Sequence, residues 1–159
     1  MIWGILSKPL SIDLFLIPSY FLLILVLGYI ITYLLSKLAL SDPKNQAIGI
    51  ITGLIGNTGN MGIPIGFAIY GIASVPYTAM INLINAIFVM TIGAYTYSRG
   101  SFSIKESIKN VLKLPMIWAT IVAFSIQLFH IPISKDVFHF LEMGAYTGLV
   151  VQLLIFGMF

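Results

Sequence analysis

There is no cysteine among the 159 residues of the chain. That absence removes disulfides, thiolate metal sites and thiol nucleophiles, and several enzyme classes with them. Charge is nearly as scarce: 8% of the residues are Asp, Glu, Lys or Arg, against about 25% in an average soluble domain. The opening residues carry Lys8 and Pro9 but no basic run followed by a short apolar core and a small-residue cleavage site, so no signal peptide is expected. No alternating ten-residue pattern suggests an outer-membrane barrel. A phosphate loop, a dinucleotide fingerprint and a nucleophile elbow are all missing too, and neither an enzyme activity nor a cofactor is expected.

What the chain has in quantity is apolar side chains, 59% of the total, with a mean hydropathy of +1.04. Apolar runs near twenty residues recur, which is long enough to cross a bilayer as helix. The expected fold class is therefore all-α: a polytopic helical membrane protein forming one transmembrane domain over residues 1–159. Five spans are read at 14–36, 44–71, 77–98, 115–129 and 137–159. The first is tagged by Asp13, Pro18 and Lys37. Before the second, Asp42 can cap a helix whose first position Pro43 pre-sets. Residues 99–114 are the sizeable polar segment, read as an interfacial helix in a cytoplasmic loop. There Ser103 and Glu106 match a capping box, Phe102, Ile108, Val111 and Leu112 share an apolar side, and Lys105, Lys109 and Lys113 recur every four residues to rest against anionic headgroups.

The net charge of +3 would suggest nucleic acid in a soluble domain, but these lysines flank apolar runs and speak to membrane orientation instead. Lys37, Lys44, Arg99, Lys105, Lys109 and Lys113 follow the first and third spans, with Lys8 and Lys135 on the other side. The positive-inside rule makes the six-charge side cytoplasmic, putting residue 1 outside and residue 159 inside. A chain that enters from outside without a signal and stops inside a span reads as the middle of something longer.

The second span holds the unusual stretch, Gly56-Asn57-Thr58-Gly59-Asn60-Met61-Gly62-Ile63-Pro64-Ile65-Gly66. Pro64 lacks an amide hydrogen and its ring collides with the Asn60 carbonyl of a regular helix, while Gly59 and Gly62 weaken helix on the approach. Two half-helices are expected, Lys44 to Gly56 and Pro64 to Gly71, with an unwound middle. Irregular backbone at that depth survives only where protein buries it or a wet cavity receives it. The carbonyl end of the first half could then hold a cation and the amide end of the second an anion, as in secondary transporters. The bland alternative is a glycine-rich packing face with a proline kink.

Asn57, Thr58 and Asn60 offer amide and hydroxyl groups beside this freed backbone; the competing role is repair of their own break, and the same groups can do both. Asn82 and Asn85, three apart on one helix face, and Gln152 are open between lining a cavity and bonding helix to helix, a bond of about 0.6 kcal/mol. His130, Asp136, His139 and Glu142 lie near helix ends on the outer side. An i, i+6 offset puts Asp136 and Glu142 on different faces, so no metal site is expected.

The Gly56–Ile65 stretch resembles the auxin efflux carrier family, whose bacterial members show Gly-Asn-Thr-Gly, an apolar residue, Gly-apolar-Pro and a short helix ending in Gly, here Tyr70-Gly71. The similarity runs on through Asn85, the basic loop, Leu114-Pro115 and Leu141 to Met158. It implies a ten-helix carrier of two inverted five-helix repeats, each with a broken helix, of which this chain matches the third to seventh helices. The family usually has a proline in the fifth span where this chain has Gly148-Leu149-Val150-Val151. On that resemblance the expected function is a secondary transporter for small organic anions in the plasma (inner) membrane. The expected substrate-binding residues are Asn57, Thr58, Gly59, Asn60, Gly62, Pro64 and Asn85, with no metal. The expected partners are the substrate, the lipid bilayer and a second copy or missing half; no nucleic acid is expected. A small membrane subunit without transport of its own is the competing reading.

Overall fold

The structure, a computed structural model, describes residues 1–98 and 104–157. Arg99, Phe102 and Ser103 lie outside the described residues, and the expected Ser103–Glu106 capping box with them. Every regular element among the described residues is helical. In chain order these are α1 (Ile2–Leu6), α2 (Asp13–Ala39), α3 (Pro43–Thr52), a π turn (Thr58–Gly62) leading into α4 (Ile63–Tyr70), a 3₁₀ turn (Gly71–Ser74), α5 (Val75–Phe88), a second π turn (Val89–Gly93), α6 (Ala94–Tyr97), α7 (Ile104–Leu112), α8 (Pro115–Leu128) and α9 (Lys135–Gly157).

The longest of these, α2, has 27 residues and so reaches about 40 Å, more than the hydrocarbon core of a bilayer. Asp42 caps α3 with its side chain, accepting the Asn45 amide at 3.0 Å, and Pro43 opens the helix. Among the described residues three helical runs are long and apolar enough to cross a membrane, Asp13–Ala39, Thr58–Tyr97 and Lys135–Ile155, and Pro115–Leu128 is a shorter apolar helix. The 40-residue middle run is bent double. Gly71 turns it, with φ 67 and ψ −161, a region that only glycine enters without strain. A Cβ on Gly66 would stand 2.7 Å from the Thr78 methyl, although a straight helix would hold those residues about 18 Å apart. Thus α4 packs back along α5.

The core is built around α5, which buries Val75, Pro76, Ala79, Met80, Leu83, Asn85 and Phe88. Toward one end, Met80 and Leu83 pack with Ile5, Leu14 and Ala123 from α1, α2 and α8. Further along, Phe88 packs with Leu25, Ile50 and Leu54 from α2 and the end of α3. Outside this centre the apolar side chains of α2 and α9 are mostly exposed, as suits helices that face lipid.

Two features depart from expectation. Residues 1–11 lie ahead of the five spans read above, yet α1 is deeply seated, with Trp3 at 2% and Ile5 at 0% exposure. Gln127 of α8 holds it, donating to the carbonyl of Ile5 at 2.7 Å, one that a helix end leaves without a partner, and to that of Lys8 in the link beyond at 2.9 Å.

The interruption also falls earlier than the expected unwinding. Helix stops at Thr52, backbone without regular structure covers residues 55–57, and helical geometry resumes at Thr58 rather than Pro64. The reason is the π turn. Gly62 N–H bonds back to the Asn57 carbonyl at 3.0 Å and Ile63 N–H to that of Thr58. This wider i to i+5 spacing admits the Pro64 ring, which a regular α turn would press against the carbonyl of Asn60.

Candidate functional site

Asn57 begins the second half-helix twice over. Its side-chain Oδ1 accepts the Asn60 amide at 3.3 Å, and its carbonyl accepts the amides of Met61 at 3.2 Å and Gly62 at 3.0 Å. One residue therefore satisfies, through its side chain, one of the four amides that a helix start leaves open and, through its carbonyl, receives the first bonds of the turn itself. On the other flank, the last carbonyls of α3 point along its axis into the break, with the negative end of that helix's dipole.

A pair of asparagines from α5 grips this segment from behind. Thr58 Oγ1 donates to Asn82 Oδ1 at 3.0 Å, and Asn85 Nδ2 donates to the Gly56 carbonyl at 3.0 Å. Gly59 lets the π turn come this close, since a Cβ there would lie 3.0 Å from Asn82 Oδ1. Asn85 is 7% exposed, and its Oδ1 has no hydrogen-bond partner among the described residues. The three-residue spacing of Asn82 and Asn85 is what lets one face of α5 reach both the irregular backbone at Gly56 and the first residue of the turn that follows it.

The expected site residues thus divide. Thr58 and Gly59 are turned to α5, and Asn85 reaches from α5 to Gly56; Gly56 and Asn82, two residues outside the expected set, complete the contact. Pro64 is buried and Gly62 half-buried in the turn. Asn57 and Asn60 are exposed, as are the neighbouring Ile55, Gly56 and Met61. None of the seven carries a titratable group, so what this arrangement offers is neutral donors and acceptors and helix ends, with no proton of its own to move. Gln152 lies apart from the gripped face. It lines a cavity of about 190 Å³ with Ile63, Gly144 and Gly148, where α9 passes the π turn. At the chain's other polar cluster, His139 Nδ1 and Glu142 Oε2 are 3.4 Å apart.

An all-helical membrane chain whose apolar run is interrupted by capped, polar, partly exposed backbone has the construction of a membrane transporter. A model of the membrane transport protein family matches residues 7–159, and the chain belongs to that family. The auxin efflux carrier resemblance of the Gly56–Ile65 motif points to the same family. No curated protein and no solved structure matches the chain.

Proposed function

We propose that this membrane transport protein is a secondary carrier of the auxin efflux carrier type, that it moves small organic anions across the plasma (inner) membrane, and that the interrupted helix is its substrate site. The observation that carries the reading is the outward exposure of Asn57 and Asn60 in a segment whose flanks are apolar helix. Lipid satisfies no amide, so these groups serve a polar ligand, water or another polypeptide. On this reading the Asn57 and Asn60 side-chain amides donate to a carboxylate, helped by the positive end of the helix that starts at Thr58. Gly59 and Gly62 keep the backbone within reach. Thr58, bonded to Asn82, and Asn85, bonded to the Gly56 carbonyl, hold the shape rather than the substrate, and Pro64 fixes the turn behind them. The carbonyl end of α3 is the place for a cation.

Lys44 and Tyr97 border one small cavity, while Lys8 and Ile72 border another at the opposite end of α5. With the positive-inside rule, this supports an orientation that puts the first pair at the cytoplasmic face. Transport of labelled carboxylates into vesicles tests the site. Asn57→Ala and Asn60→Ala should each lower uptake at least about tenfold, the loss of one charge-assisted hydrogen bond, with membrane insertion unchanged. Uptake at the starting rate in both variants would remove the assignment. The same exposure also suits an assembly partner without transport, in which another chain covers Asn57 and Asn60. A photocrosslinker at the exposed Asn60 separates the readings: capture of a second chain favours the subunit, and protection by small carboxylates favours the carrier.

A further inference from the structure

A second cavity, of about 490 Å³, opens at the end of the molecule opposite Lys44, where the α1–α2 link, the 3₁₀ turn after α4 and the first turns of α9 meet. Its polar groups are few. Lys8 is half-buried, its ammonium lies 4.5 Å from the centre of the Tyr77 ring, and it donates to the Tyr77 hydroxyl. Among the described residues no carboxylate forms an ion pair with it. Glu142, the one carboxylate lining the cavity, is turned to His139. The rest of the wall is mainly apolar, with Trp3, Ile72, Pro76 and Phe138 prominent.

A half-buried ammonium whose described partner is a neutral hydroxyl has lost hydration without gaining a counter-ion, so an anion placed there is favoured. The apolar wall adds burial for whatever the anion carries. Glu142 across the same cavity disfavours a second negative charge. We infer that this cavity is an outer binding site for monocarboxylates bearing an apolar or aromatic group, with Lys8 holding the carboxylate and Glu142 selecting against dianions. Trp3 also lines the smaller cavity that reaches Ile63 beside the π turn, so the two cavities share this side chain. The inference rests on the organic-anion reading for its biological sense, but its test reads binding and fails separately.

The chain has two tryptophans, Trp3 and Trp118, so Trp118→Phe leaves Trp3 as the sole reporter. The full chain in phosphatidylcholine liposomes is titrated with benzoate, its neutral isostere benzamide, and the dianion phthalate. Benzoate should change Trp3 emission saturably, and benzamide should not. Phthalate should bind about tenfold more weakly, the size of a like-charge repulsion at this range in a half-wetted cavity. Lys8→Gln should weaken benzoate at least about tenfold, Lys8→Arg should retain it, and Glu142→Gln should bring phthalate to within about twofold of benzoate. An equal response to benzamide, an unaffected Lys8→Gln, or phthalate binding as tightly as benzoate overturns the proposal. If Lys8→Gln does not fold, reductive methylation of Lys8 in the Trp118→Phe chain reads the same contact: protection by benzoate and not by benzamide supports the site, and no protection overturns it. Uptake lost in Asn57→Ala with the Trp3 response intact separates this site from the one at the interrupted helix.

Discussion

Replacing Asn85 by Ala tests how the interrupted backbone is held. The side chain is 7% exposed and gives the Gly56 carbonyl a hydrogen bond of 3.0 Å. Polar contacts between membrane helices average about 0.6 kcal/mol, because a freed group usually finds another partner. Gly56 sits in non-helical backbone, so no helical amide is in line to replace Asn85. The bond is partly buried, and where water does not replace the amide an unpaired carbonyl costs about 1–3 kcal/mol. The same substitution deletes Asn85 Oδ1, an acceptor without a partner among the described residues, and that relief moves the net effect to about 1–2 kcal/mol. For a chain of this size the midpoint of thermal unfolding should fall by roughly 2–8 °C. The assay is Trp3 fluorescence on heating in detergent, in the Trp118→Phe background. Leu35→Ala serves as the control, since Leu35 is 59% exposed on α2. A midpoint for Asn85→Ala as high as the control's refutes the reasoning, because it would mean that water or another group takes the Gly56 carbonyl at no cost.

Thr58 and Asn82 should behave as a coupled pair: in a double-mutant cycle with Thr58→Ala and Asn82→Ala, thermal midpoints should give a coupling of about 0.5–1.5 kcal/mol, and strict additivity would deny the bond. Gly59→Val should displace the Asn82 side chain, lowering both the midpoint and uptake, and a variant with wild-type values would show that the π turn does not lie against α5. Gly71→Val puts a β-branched residue where φ is 67 and should cost about 1–3 kcal/mol, read as a lower midpoint, whereas Gly157→Ala on α9 should not. Gln127→Leu frees the Ile5 and Lys8 carbonyls and should loosen α1, measured as faster proteolysis before residue 13; unchanged cleavage would mean that Gln127 is not what seats it.

Much of the candidate site was legible from residue types. Pro64, with Gly59 and Gly62, cannot sit quietly in a regular apolar helix, and Asn57, Thr58 and Asn60 beside them mark the interruption as polar. Where helix resumes was not legible. That depends on whether the turn before Pro64 closes as α or π, a choice between hydrogen bonds one residue apart that Asn57 decides by serving as side-chain cap and carbonyl acceptor together. Asn82 and Asn85 could be placed on one face of a helix from their spacing, but not on the face toward Gly56 and Thr58. The bend at Gly71 makes that decision by laying α4 along α5.

The distribution of apolar residues by itself determined that this chain is a set of membrane helices, and it placed six of the eight lysine and arginine residues in the segments after the first and third expected spans, because each span must satisfy its backbone internally and local composition alone reports whether it can. Only the tertiary structure decided which polar groups of the interrupted helix are spent on holding it and which are left outward. It also seated α1, five residues too short to declare themselves, through a glutamine 122 positions away from Ile5. The physical reason is common to both: a hydrogen bond between distant segments has no period and no spacing, so it exists only once packing has brought its two ends together.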